Sequence, residues 1–173
     1  GRRRAARREQ HATIEHGGIT RTYVVRQPLG AVRRDTPMPL VLMLHGGGGH
    51  AENAEKMTGL TEKGRKEGFL VVYPEGTSRL NGRLLTWNAG HCCGYAMTEK
   101  VDDVGFILAL LDKLQGDYPV DPNRIYITGM SNGAMMSHRL GRELSRRVAA
   151  IAPVVGAVFG DESKPVAGVS MLA

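Results

Sequence analysis

Short, nearly continuous apolar runs recur along this chain, and they predict buried strands. Each run is rich in Val, Ile, Leu or Tyr and has no regular polar alternation, as expected for a strand covered on both faces. Amphipathic stretches between the runs repeat their apolar positions with helical spacing and predict helices. The predicted strands are 40–44, 69–73, 125–128, 148–155 and 166–173, and the predicted helices are 51–67, 104–114 and 132–144.

The alternation of strands and helices from residue 40 onward predicts an α/β fold. Such an order gives a mainly parallel central sheet with right-handed crossovers and helices on both faces. Residues 11–27 alternate around Gly17-Gly18 and predict a hairpin at the sheet edge, and 28–39, with three prolines, predict a loop. Residues 75–99 lack clear periodicity, and long irregular segments in compact domains are often functional.

The segment Gly129-Met130-Ser131-Asn132-Gly133 joins a predicted strand to a predicted helix. This is the context of a nucleophile elbow, in which a serine stands on a strained turn and its hydroxyl projects above the sheet. Glycines on either side of the serine let strand and helix approach closely. The alternative is an ordinary strand-to-helix turn with a serine N-cap. We interpret Ser131 as a nucleophile.

A glycine-rich loop, His45-Gly46-Gly47-Gly48-Gly49, follows the first predicted parallel strand. Ester hydrolysis needs backbone N–H donors for the negatively charged oxygen of the tetrahedral intermediate. In an elbow fold, one donor is the residue after the nucleophile and the other comes from this loop. We therefore predict Asn132 and Gly47 as oxyanion donors, with Gly46 as the second choice for the loop donor. A flexible glycine turn is the alternative, and no phosphate-binding motif is present.

Charge changes this interpretation little. The chain has 173 residues and a formal net charge of +6, and five of its first eight residues are arginine. No aromatic residue interleaves these arginines, so we predict a solvated basic tail over 1–10 instead of a nucleic-acid or anionic-surface patch. Residues 11–173 then belong to one domain. No apolar run approaches the ~20 residues of a membrane span, and no histidine pair has metal-ligand spacing.

Cys92 and Cys93 are the only cysteines in the chain, and they are adjacent. Too few ligands are present for a zinc site or a disulfide framework. Three interpretations stay open: two free thiols, a bond between the neighbours, or partners beyond the end of the chain.

Several other polar or aromatic residues have both a functional and a structural interpretation. We expect His45 to shape the glycine loop, and Asp102 and Asp103 to cap a helix and anchor a loop. For Trp87, lining a substrate pocket and packing the long segment onto the sheet remain equally open. His50 and His91 are expected to be surface loop residues that lie near the site.

Six segments in a fixed order resemble one family, the polyhydroxybutyrate depolymerase and feruloyl esterase-like group of α/β-hydrolases. The resemblance covers nearly all of residues 20–173. It implies an α/β-hydrolase fold and a secreted or periplasmic carboxylic ester hydrolase with a Ser–His–Asp triad and no cofactor. The implied substrates are short-chain, aryl or feruloyl esters, including esters on plant polysaccharide, or polyesters. The segments are HGGGG at 45–49, VVYPEG at 71–76, WNAG at 87–90, CCG at 92–94, VDDV at 101–104 and GMSNG at 129–133.

The acid and base of the triad should follow the nucleophile in chain order in this fold. His138 lies seven residues after Ser131 on the same predicted helix, and Asp161 and Glu162 precede the last predicted strand. We therefore expect the acid, the base and further strands beyond residue 173, in the C-terminal part of the same domain. Residues 11–173 are then its N-terminal portion. The alternatives are a non-catalytic hydrolase scaffold that binds a partner or ligand, and a peptidase or acyltransferase.

Overall fold

Seven strands form one sheet in the part of the chain that the computed structural model describes, residues 9–30, 32–80 and 82–172. The strand order across the sheet is β1-β2-β4-β3-β5-β6-β7. The strands are β1 (Glu9–His16), β2 (Ile19–Arg26), β3 (Met38–Leu44), β4 (Leu70–Pro74), β5 (Val120–Met130), β6 (Ala150–Val154) and β7 (Ser170–Met171).

Five helices connect these strands within the described residues. The short α3 lies inside the long segment after β4, which otherwise forms turns and isolated bridges. The helices are α1 (Ala51–Thr58), α2 (Leu60–Glu67), α3 (Gly94–Thr98), α4 (Asp103–Asp117) and α5 (Asn132–Glu143).

The five neighbouring strands β4, β3, β5, β6 and β7 are parallel, whereas the β1–β2 edge is antiparallel. β3 pairs in parallel with both β4 and β5, and β6 pairs in parallel with β5 and β7. The β1–β2 hairpin turns at Gly17-Gly18, and β2 joins β4 antiparallel. The predicted mainly parallel sheet and edge hairpin are therefore confirmed. The carboxyl ends of β3 and β5 lie side by side, because Leu44 is in register with Gly129.

Helices cover both faces of the sheet, as predicted. Successive residues of a strand point to opposite faces, so neighbours on β3 enter different cores. Leu42 packs in a core with Phe106 of α4 and Met136 of α5. Met43 packs in a second core with Ala51 of α1. Each central strand is therefore buried on both faces, which explains its continuous apolar sequence.

One predicted helix is in fact two. The predicted helix 51–67 is interrupted at Gly59, which has φ +64° and caps α1 in the left-handed conformation. Its N–H donates to Glu55 O, and α2 then begins at Leu60. Glycine adopts this conformation without the strain of a Cβ, so the residue that weakened the helical pattern ends the helix.

Strand boundaries also differ from the predictions. β5 begins five residues before the predicted strand, and the predicted strand over 166–173 is reduced to the short β7. β1 begins at Glu9 and so includes the last two residues of the predicted basic tail; residues 1–8 lie outside the described residues. Within the described residues, no helix combines the length and the apolar character needed to cross a bilayer.

Candidate active site

Ser131 stands at a sharp turn between β5 and α5 with φ 54° and ψ −116°. A non-glycine residue with positive φ is strained by about 1–3 kcal/mol. A Cβ on Gly133 would collide with the carbonyl oxygens of Leu44 and His45, and one on Gly129 with the carbonyl of Gly133. These contacts require glycine on both sides of the serine. The structure therefore confirms the predicted order of strand, sharp turn and helix.

Asn132, directly after the serine, is the first residue of α5 and 2% exposed. The first N–H groups of a helix have no partner within it, so this N–H remains available for a ligand. Its side chain turns the other way: Asn132 Oδ1 accepts from Trp87 N–H at 2.7 Å, and Asn132 Nδ2 donates to Trp87 O at 3.1 Å. The side chain is structural, whereas the backbone N–H is the candidate donor.

Trp87 connects the elbow to the glycine loop. Its indole Nε1–H donates to His45 O at 3.1 Å, and its ring lies 5.0 Å from the His45 ring. The side chain is fully buried. Of the two open interpretations, the structure favours packing, because Trp87 holds the long segment onto the ends of β3 and β5.

Close to the elbow, the glycine loop leaves backbone N–H groups without a partner among the described residues. Gly48 N–H donates to Leu85 O at 2.8 Å and Gly49 N–H to Gly46 O at 3.0 Å. Within the described residues, no hydrogen bond uses the N–H of Gly46 or Gly47. A Cβ placed on Gly47 would lie 3.5 Å from Asn132 Cβ. The structure thus brings the three predicted site residues together, Ser131, Asn132 and Gly47; their catalytic roles stay a prediction.

His45 holds the start of this loop and is 1% exposed. Its Nδ1 lies 2.7 Å from Gly46 O, to which it donates, and Nε2 accepts from Gly76 N–H at 3.0 Å. Burial is the largest cause that lowers the pKa of His45 to about 4. Both ring nitrogens are engaged and the ring is neutral at pH 7, so His45 shapes the loop, as expected.

A buried ion pair anchors the segment that carries Trp87. Arg21 Nη2 lies 2.6 Å from Asp103 Oδ1, and both side chains are almost fully buried. The second oxygen of Asp103 accepts from Asn88 N–H at 2.7 Å, next to Trp87. Asp102 instead caps α4 by accepting from Gly105 N–H at 3.0 Å. The capping and anchoring expected of the two aspartates are confirmed.

His50, His91 and the two cysteines have structural partners. His50 caps α1, and its ring accepts from Asn53 N–H at 3.4 Å. His91 Nε2 lies 2.9 Å from Asp161 Oδ1. Cys92 and Cys93 are joined by a disulfide, which is one of the three interpretations that the sequence left open. Within the described residues, no group of three or more His, Cys, Asp or Glu could hold a metal ion.

Sequence reasoning missed the role of Arg21 and the side-chain role of Asn132. Arg21 lies between threonines on an edge-proximal strand, and its charge gives no sign of burial. The signal that could have found it is Asp103 at the start of α4, since a carboxylate that is buried there requires a cationic partner.

A cavity of about 300 Å³ opens beside Ser131. The glycine loop forms one wall, and the side chains of Met43, Met57 and Met130 line the cavity as well. The nucleophile candidate and the candidate oxyanion donor Gly47 therefore face a space that can hold an apolar group.

The chain matches a protein family over most of its length. The model of the esterase PHB depolymerase family matches residues 21–172. NocK of Nocardia uniformis subsp. tsuyamanensis, which is named as an inferred esterase, is 34% identical over 139 residues, 80% of this chain and 39% of that protein. The bifunctional acetylxylan esterase/xylanase XynS20E of Neocallimastix patriciarum is 28% identical over 123 residues, 70% of this chain and 16% of that protein.

A solved structure shares the fold. The acetyl xylan esterase from Aspergillus awamori superposes with a TM-score of 0.70 at 19% identity, over 88% of this chain and 53% of that chain. The predicted α/β-hydrolase fold is thereby confirmed. The chain spans less than half the length of the two curated relatives described above and about half of this structure.

The hydrogen bond from Trp87 N–H to Asn132 Oδ1 gives a testable prediction for stability. Asn132→Ala leaves the buried Trp87 N–H without an acceptor. Trp87 O loses one donor but still accepts hydrogen bonds from the N–H groups of Ala89 and Cys93. We expect the free energy of unfolding to fall by about 2 kcal/mol, the cost of one buried unsatisfied donor. Denaturant unfolding measures it. Asn123→Ala, at an exposed position near the start of β5, is the control, and an equal loss in both variants would contradict the assignment.

The buried neutral His45 gives a prediction for pH dependence. Its folded pKa of about 4 lies below the ordinary value of 6.5, so the unfolded chain binds the proton more tightly. The stability linked to His45 is complete above pH 6.5 and is lost as the pH falls toward 4, by up to about 3 kcal/mol. In denaturant titrations, the stability advantage of wild type over His45→Gln should shrink by that amount between pH 7 and 4. A constant difference would show that His45 does not titrate on unfolding.

Proposed function

The chain belongs to the esterase PHB depolymerase family, and from this we propose that it hydrolyses carboxylic esters through an acyl-enzyme on Ser131. The observation that carries the proposal is the strained Ser131 turn with two available N–H groups beside it. An ordinary N-capping serine needs neither a positive φ nor a second donor loop against its helix. The arrangement therefore supports nucleophilic chemistry over a structural cap.

In the proposed first step, Ser131 Oγ attacks the ester carbonyl carbon and its proton passes to a general base. The carbonyl oxygen becomes negatively charged and accepts hydrogen bonds from Gly47 N–H and Asn132 N–H. Donors fixed in advance at this oxygen lower the barrier, because they need no reorganisation as the charge develops. The C–O bond then breaks, and the alcohol leaves with the proton from the base.

In the second step, water attacks the acyl-enzyme, the base takes its proton, and the carboxylic acid is released as Ser131 regains its hydrogen. We place the base and its orienting acid beyond residue 173, in the C-terminal part of the same domain. His45 is unsuited to the role, since both its nitrogens are engaged and its pKa is lowered to about 4 by burial. His138 lies seven residues along α5, about 10 Å from Ser131 along the helix axis.

The substrate proposal covers short-chain, aryl or feruloyl esters, esters attached to plant polysaccharide, and polyesters. The family name and the acetylxylan esterase activity in the name of XynS20E support this range. We also propose a secreted or periplasmic location. The resemblance of the six sequence segments to a typically secreted family supports it.

Replacement of Ser131 tests the proposed function. Ser131→Ala in the full-length protein should lower kcat for p-nitrophenyl acetate by at least about 10³-fold, because no acyl-enzyme can form. It should also abolish labelling by a fluorophosphonate probe. Ser163→Ala, at an exposed serine in the segment after β6, is the control and should keep both turnover and labelling.

The outcomes separate the candidate functions. A wild-type protein that neither turns over esters nor reacts with the probe would favour the non-catalytic scaffold. Turnover that survives in Ser131→Ala would mean that another group is the nucleophile, and the elbow assignment would be wrong.

A further inference from the structure

Three methionines from three different elements meet in the cavity beside Ser131. Met43 lies near the end of β3, Met57 in the last turn of α1 and Met130 at the end of β5. Their exposure differs: Met43 is 3% exposed and Met57 is 64% exposed. Met43 therefore forms the floor of the cavity against the sheet, and Met57 forms its rim toward solvent.

The cavity adjoins the reacting atoms of the proposed mechanism. Its wall includes Ser131 and the loop residues 45–49, so the oxyanion donor Gly47 and the nucleophile both border it. An ester carbonyl held between them would have a substituent directed into this space. Ala51 and Ala54 pack α1 into the same core as Met43, so Met57 of α1 stands on the face of the sheet that Met43 enters.

The lining selects by chemistry and by size. Among the described residues, no charged side chain lines the cavity; Asn53 supplies a polar group, and His45 is held neutral by burial. A dry apolar cavity of about 150 Å³ holds one benzene ring, and this cavity of about 300 Å³ has roughly twice that volume. Methionine side chains are flexible and polarisable, so they adapt to alkyl and aryl shapes alike. Charged groups would lose hydration without gaining a partner.

We propose that this methionine cavity is the subsite for a neutral, apolar acyl group, and that Met57 sets the acyl length that the protein prefers. The proposal rests on the proposed function and narrows it. Met57 stands at the rim, so longer acyl groups bury more apolar surface against it than an acetyl group does. Esters with medium-length alkyl or single-ring acyl groups are then favoured over acetyl esters of the same alcohol.

Variants at the rim test the subsite in the full-length protein. The measurement is kcat/KM for p-nitrophenyl acetate, butyrate and octanoate, which share one leaving group. Met57→Trp fills the mouth and should lower the octanoate-to-acetate ratio by about tenfold or more, and Met57→Ala removes contact surface and should lower it severalfold. Lys56→Ala, at the exposed neighbouring position of α1, should leave the ratio unchanged.

The outcomes distinguish failure of the subsite from failure of the proposed function. An octanoate-to-acetate ratio that stays the same in both Met57 variants, while Ser131→Ala is inactive, would overturn the subsite alone. Turnover in Ser131→Ala would overturn the proposed function instead. If a Met57 variant fails to fold, the rate of covalent labelling of the wild type tests the subsite instead. A phosphonofluoridate with a heptyl group should label Ser131 at least about tenfold faster than the one with a methyl group. Equal labelling rates would overturn the subsite.

Discussion

The hydrogen bonds of Trp87 join the two strand ends on which the candidate site is built. Parallel pairing places the ends of β3 and β5 side by side, but it does not fix the loops that follow them. Trp87 N–H bonds to the Asn132 side chain and its indole N–H to His45 O. The elbow and the glycine loop are thus attached to one buried residue, which holds Gly47 against Asn132. In a fully buried location, each of these bonds is costly to lose.

The position of Trp87 depends in turn on charges that lie away from the reacting atoms. Asp103 accepts from the N–H of Asn88, and Arg21 compensates the buried carboxylate while its guanidinium lies 4.0 Å from the centre of the Phe106 ring. Arg139 Nη1 donates to Asn88 O at 2.7 Å. A buried ion pair adds little net stability, but removing one partner leaves an uncompensated charge. We interpret this pair as a device that positions the segment next to Trp87.

The sequence alone predicted the parallel sheet, the edge hairpin, the elbow and the placement of Gly47 and Asn132. Continuous apolar strands and glycines at fixed offsets carry that information locally. The end of α1 at Gly59 depends on the backbone conformation of a single residue. The burial of Arg21 depends on a partner 82 residues away, so neither feature follows from a local pattern. The same holds for the Asn132 side chain and for the methionine cavity, whose lining comes from elements that are distant in the chain.

A crystal structure of the full-length protein with a phosphonate bound to Ser131 tests the central claim most directly, because the phosphonyl oxygen occupies the place of the oxyanion. Ser131, the Gly47 N–H and the Asn132 N–H are predicted to act together on one oxygen. That oxygen should lie about 2.7–3.1 Å from both nitrogens, with its alkyl group in the cavity lined by Met43 and Met57. An adduct on another residue, or an oxygen that contacts neither N–H, would contradict the account.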